Sequence, residues 1–212
     1  MIELRKITKK YGEKYVYNNF DLSIENGKIT AVLGESGSGK TTLLNIMANL
    51  TEFSGKITGI TFPVAFVFQR DRLVKGLTVK QNLELIEKTA DITAELKEFG
   101  LEGCENKYPK ELSAGMARRV AILRALIFKS ETLFMDEPFV NLDIALKYRL
   151  MKELKSRIKA QGRTTVFVTH DIKEAVSLAD RIIVLSQGKK IADIKEITEQ
   201  TENELFNFML SV

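Results

Sequence analysis

The stretch Ile29-Thr-Ala-Val-Leu-Gly-Glu-Ser-Gly-Ser-Gly-Lys-Thr41 decides how the rest of the chain is read. The apolar run Ile29 to Leu33 passes without a gap into Gly34-Glu35-Ser36-Gly37-Ser38-Gly39-Lys40-Thr41. Then comes Thr41 to Asn49, where Leu43, Leu44 and Met47 recur at helical spacing. Strand, glycine turn and helix therefore stand in immediate succession. Glycines let the backbone curl until successive N–H groups converge on phosphate oxygens, and the start of the following helix adds partial positive charge. The turn satisfies G-x-x-x-x-G-K-[ST] at every specified position, which predicts Lys40 on the β and γ phosphates and Thr41 as a ligand of Mg²⁺. The competing reading is a glycine turn with a surface lysine. It leaves unexplained why a strand and a helix bracket the turn.

Upstream, Ile2 to Ile7, Val16 to Ile24 and Lys28 to Leu33 alternate in β fashion around Tyr11-Gly12 and Asn26-Gly27, which predicts an antiparallel start. Downstream, Gly55 to Ile60 and Val64 to Phe68 are β-rich and end at Gln69. From Thr78 to Phe128 the pattern turns mainly helical, with a capping box at Thr78-x-x-Gln81, a helix stop at Gly100, and Ser113 placed to cap Ala114 to Phe128. Strand and helix patterns then alternate: Thr132 to Met135, Asp143 to Ala160, Thr164 to Thr169, Ile172 to Ala179 and Arg181 to Ser186. Strands separated by helices imply a mostly parallel sheet. The expected fold is α/β: a P-loop NTPase core, an N-terminal antiparallel β subdomain, and a helical subdomain inserted at about residues 70–128. All of it lies in a single domain spanning 1–212.

Two further strand ends carry chemistry. Leu133-Phe134-Met135-Asp136-Glu137 is a buried-strand pattern ending in adjacent carboxylates. Parallel sheets collect ligands at the carboxyl ends of their strands, which would bring this pair to the glycine loop. Asp136 then suits a Mg²⁺ shell, and Glu137 suits a general base for attack on a γ-phosphate. His170, the only histidine, follows the run Thr164 to Thr169. An isolated histidine is usually structural, but at a third strand end it could hydrogen-bond the γ-phosphate.

Composition sets the limits. The 212 residues suit one core with at most a satellite subdomain, and 44% hydrophobic with 28% charged residues is ordinary for a globular chain. The formal net charge of +4 is spread along the chain, so no nucleic-acid partner is indicated. The longest uncharged stretch, Ile57 to Gln69, has 13 residues and contains Pro63, too short for a membrane span of about 20 residues. The first residues lack the apolar core of a secretory signal, so the expected location is the cytoplasm. Cys104, the only cysteine, can form no internal disulfide and reads as a bystander.

The residues together resemble the nucleotide-binding subunit of ATP-binding cassette (ABC) transporters over almost the whole chain. Beside GESGSGKT and LFMDEP stand Gln69 in VFQRDRL, the run LSAGM from Leu112 to Met116, the NLD of Asn141 to Asp143, and His170 in FVTHD. The usual signature LSGGQ is altered at Ala114 and Met116. The resemblance implies MgATP hydrolysis in a head-to-tail, ATP-dependent dimer, located peripherally on the inner face of the cell membrane. Partners would be a separate permease and an external solute-binding protein. It implies an ATP site through Tyr11, Gly34, Glu35, Ser36, Gly37, Ser38, Gly39, Lys40, Thr41 and Thr42, completed by Ser113 and Gly115 of the second copy, with Asp143 at the seam. Glu137, His170 and Gln69 would be catalytic, and Thr41, Gln69 and Asp136 would serve the metal. It also implies a permease-binding groove at Asp71 to Leu77. The methionine and its surroundings are similar to importers of the nitrate, taurine and aliphatic sulfonate group. With 26 residues after Ser186, no C-terminal regulatory domain is expected. Two alternatives remain. A non-transport cassette of DNA repair or translation would usually bring coiled-coil insertions or a second cassette, and a small-molecule kinase on the same loop would need an acceptor site.

Overall fold

The computed structural model describes residues 1–88 and 91–210. In chain order the elements are β1 Ile2–Tyr11, β2 Lys14–Ile24, β3 Ile29–Leu33, α1 Lys40–Met47, β4 Ser54–Thr58, β5 Ala65–Val67, α2 Val79–Glu84, α3 Ile92–Glu98, α4 Ala114–Ile127, β6 Thr132–Asp136, α5 Ile144–Ala160, β7 Thr164–Thr169, α6 Ile172–Leu178, β8 Arg181–Ser186, β9 Lys189–Ile194 and α7 Thr201–Leu210. They form two sheets, β2-β1-β4 and β5-β6-β7-β3-β8-β9. The first is antiparallel throughout. The second is parallel from β5 to β8, with β9 antiparallel at its edge.

One expectation is corrected here. The run Lys28 to Leu33 does not continue the antiparallel start; β3 leaves it and lies parallel between β7 and β8. All five of its residues are buried, as in a strand covered on both faces, which a one-sided antiparallel ribbon cannot supply. The third antiparallel strand is instead β4, paired with β1.

The two faces of the central sheet are packed differently. Ile29, Ala31, Leu33, Met135 and Phe167 point into a core shared with the helices of the expected insert and with α5 to α7. Val32, Phe134, Val166, Val168 and Ile183 point the other way, onto Leu43, Leu44 and Met47 of α1 and onto Ile2, Leu4, Ile7 and Ile24 of the antiparallel sheet. The helix after the glycine loop is thus clamped between two sheets.

Within the stretch Thr78 to Phe128, α2, α3 and α4 alternate with turns, and residues 89–90 lie outside the described residues. The capping box is present: Gln81 N–H donates to Thr78 Oγ1 at 3.3 Å, and Thr78 N–H to Gln81 Oε1 at 2.9 Å. Gly100, at φ 62, follows the end of α3. The hairpin β8–β9 and helix α7 were not foreseen. Their turn, Gln187-Gly188, has φ 46 and 72. That is hairpin geometry whose usual Asn-Gly or Asp-Gly signal is masked by a glutamine.

Candidate functional site

The glycine loop runs from the buried end of β3 to the start of α1. Gly34 is forced by close packing, because a Cβ there would lie 2.3 Å from Leu185 O on β8. Gly39 is forced by conformation: it precedes α1 at φ 106, and a Cβ would strike Tyr17. The Tyr17 hydroxyl donates to Gly39 O at 3.0 Å, and burial pushes its own ionisation far above the ordinary tyrosine value. The loop is thereby pinned from the antiparallel sheet. α1 has no side-chain cap. Lys40 is only 6% exposed and donates from Nζ to Gly34 O at 2.7 Å and Glu35 O at 2.8 Å. Burial lowers its pKa, opposed by the charges of Glu137, Asp136 and Glu35.

The acidic pair arrives from β6. Thr41 Oγ1 donates to Asp136 Oδ1 at 3.0 Å, joining the glycine loop to a strand end 95 residues away in sequence. Burial raises the Asp136 carboxyl above its usual range. The Thr41 hydrogen bond opposes this, Glu137 adds to it, and Arg118 and Lys40 oppose it. Glu137 stands just past the strand at φ 45, and its N–H donates to Val168 O at 3.0 Å. His170 Nδ1 lies 3.3 Å from Glu137 Oε1, so the third strand end does meet the second. Among the described residues no cluster of three or more His, Cys, Asp and Glu could cage a metal. The Thr41 hydroxyl beside the Asp136 carboxylate fits an ion such as Mg²⁺, which keeps waters and shares phosphate oxygens.

A cleft of about 380 Å³ is lined by Tyr11, Val16, Ser36, Gly37, Gly39, Lys40, Thr41, Thr42, Gln69 and Glu137. The expected site residues therefore divide. Tyr11, the helix-side half of the loop, Gln69 and Glu137 converge, with Asp136 and His170 bonded to members of that group. Glu35 and Ser38 do not line the cleft but a separate cavity behind the loop, against β8 and Met209, which Ser36 and Gly37 line as well. Ser113, Gly115 and Asp143 do not line the cleft. Ser113 caps α4 by accepting from Met116 N at 3.2 Å, and Asp143 caps α5 by accepting from Leu146 N at 2.9 Å. A Cβ on Gly115 would lie 3.2 Å from Asn141 O, which places the α4 start against the stretch that leads to Asp143.

Three residues near the site were missed in the sequence. Val16 lines the cleft, Tyr17 holds Gly39, and Arg118 is buried beneath the acidic pair. Neither Tyr17 nor Arg118 had a usable signal: Tyr17 is buried out of phase with Phe20, Leu22 and Ile24 because the strand is irregular at Asn19, φ 59, and Arg118 reads as an ordinary exposed charge on a helix. In the segment Asp71 to Leu77, Leu73 packs against the core while Val74 is 44% exposed. Beside it a mainly apolar groove of about 310 Å³ is lined by residues including Leu50, Val64, Phe66, Phe68, Ile86 and Phe128. No helix among the described residues is long and apolar enough to cross a membrane.

Residues 17–140 match the ABC transporter family. An aliphatic sulfonates import ATP-binding protein of Rhodococcus jostii is 38% identical, over 91% of this chain and 81% of that protein. A sulfate/thiosulfate import ATP-binding protein of Caulobacter vibrioides is also 38% identical, over 89% of this chain and 62% of that one. A dimeric structure of a bacterial ABC transporter cassette superposes with a TM-score of 0.82 at 33% identity, covering 92% of this chain and 98% of that chain. A second dimeric structure of that cassette, in a post-hydrolysis state bound to ADP and Pi, superposes equally well, with a TM-score of 0.82 at 31% identity.

Proposed function

The chain belongs to the ABC transporter family and is an ATP-hydrolysing subunit of it; on that premise we propose that two copies close head to tail on ATP and power solute import through a separate permease. The observation that carries this reading is the single cleft in which Tyr11, the phosphate loop, Gln69 and Glu137 meet. Tyr11, 54% exposed, offers an aromatic face for adenine. Gly34 to Thr42 hold the phosphates. Ser113 and Gly115 complete the site of the opposite copy, and Asp143 lies at the seam. Thr41, Asp136 and Gln69 would hold Mg²⁺, which supplies charge neutralisation on the phosphates. Glu137 takes the proton of the attacking water, and His170, in contact with it, senses the γ-phosphate. The whole acts as one ABC ATPase domain, residues 1–212, with the insert at about 70–128 as its moving part.

The sulfonate, sulfate and spermidine/putrescine importers among the relatives support import, with an external binding protein as the partner that would deliver the solute. The apolar groove beside Gln69 is suited to a short cytoplasmic helix of the permease, which would hold the subunit on the inner membrane face. Release of phosphate from MgATP by the isolated chain, with no acceptor present, tests the enzyme reading, since a kinase would require an acceptor. Val74→Asp and Leu50→Asp should abolish co-purification with the permease and leave ATP affinity unchanged. Intact assembly would place docking elsewhere.

A further inference from the structure

Arg118 lies one turn into α4 and is only 3% exposed. A guanidinium carries five N–H donors in a fixed planar fork, and here all five find acceptors. Nε donates to Pro138 O at 2.9 Å; Nη2 donates to Asp136 O at 2.8 Å and Glu137 O at 2.5 Å; Nη1 donates to Phe68 O at 2.5 Å and Asp71 Oδ1 at 3.1 Å. Three segments far apart in sequence are tied by one side chain: the helix capped by Ser113, the stretch around Gln69, and the turn that carries Glu137. That turn needs holding. Glu137 has φ 45, a conformation a non-glycine residue keeps only when its surroundings over-determine it. Arg118 takes the carbonyls before, at and after Glu137.

We infer that Arg118 is a positioning residue, setting the Glu137 carboxylate and the Gln69 segment for hydrolysis according to where α4 stands, while leaving the phosphate loop's grip on ATP untouched. The inference rests on Glu137 being the base. A buried arginine of purely structural value would lower stability without acting through Glu137, and the two roles part in a double-mutant comparison.

Arg118→Lys keeps the charge but loses the planar fork, so it cannot serve all five acceptors. In the full chain it should bind MgATP nearly as wild type by equilibrium titration, yet hydrolyse it ~10- to 100-fold more slowly in single turnover, the scale of loss when a reacting group is misplaced by about 1 Å. Added to Glu137→Gln, it should cost little more, because the group it positions is already gone. Asp71→Asn is a milder variant that removes one charged acceptor and keeps its shape. It should show the same pattern at smaller size even if the lysine variant fails to fold. Wild-type hydrolysis by folded Arg118→Lys, wild-type hydrolysis by Asp71→Asn, or losses that multiply fully with Glu137→Gln would each overturn the inference. Glu137→Gln measured alone checks the premise separately: a wild-type rate there would remove the base assignment itself.

Discussion

Two helices start close to small residues at this site, and they start differently. α1 opens on Gly39 with no side-chain cap, inside the cleft, beside a buried lysine. α4 opens on Ser113, whose hydroxyl already accepts from Met116 N, and it lies off the cleft. A helix start left without a side-chain partner among buried donors is built to receive an external anion. A capped helix start is satisfied alone and gains a ligand only when one is brought to it. The difference supports one helix start that receives phosphate within its own chain and a second that waits for the nucleotide of another copy, so that neither copy completes a site alone.

The largest effect is expected from the variant that spares both helix starts. Glu137→Gln should keep MgATP binding and slow single-turnover phosphate release by ~10² to 10⁴, the usual worth of general-base assistance. An unchanged rate would move the base elsewhere. Next comes a break on the α1 side alone. Lys40→Ala removes a charge-assisted contact of the kind worth about 1.5–3 kcal/mol, so titration with a fluorescent ATP analogue should show ~10- to 100-fold weaker binding.

The α4 side should respond in the opposite sense. Sedimentation of Glu137→Gln should show a monomer that dimerises with MgATP, by mass action on a site that only the dimer completes. Adding Ser113→Ala should weaken that dimerisation while single-chain ATP affinity holds, and removal of the cap should cost about 1 kcal/mol of stability. Equal loss of ATP affinity from Ser113→Ala and Lys40→Ala would erase the distinction between the two starts.

The smallest effect concerns the electrostatics between them. Burial raises the Asp136 pKa, so its charged form is disfavoured by folding, and that penalty fades as the pH falls through the range just above the ordinary carboxylate value. Asp136→Asn should therefore raise Tm slightly at neutral pH, read by thermal unfolding without nucleotide. A lower Tm would mean that the carboxylate is stabilised by its neighbours after all.

The glycine loop of the cleft and several helix starts outside it were legible in advance because their chemistry is written in adjacent residues. The glycine loop, the capping box at Thr78 and the helix starts at Ser113 and Asp143 are each set within a few residues, where backbone conformation follows side-chain type directly. Edge elements were harder. β9 is half exposed and its turn lacks an aspartate or asparagine, so neither burial pattern nor turn chemistry announced it.

By itself, then, the sequence determined the strand–loop–helix at Ile29 to Met47, the order of the motifs and the α/β class, all consequences of local periodicity and turn chemistry. Only the tertiary structure decided that β3 lies between β7 and β8, that Tyr17 holds Gly39 from another sheet, and that Arg118 reaches under Glu137 to Phe68. These depend on which strands pair and where side chains end in three dimensions. Parallel pairing between distant segments leaves no local mark, because every buried strand in such a sheet reads as the same apolar run.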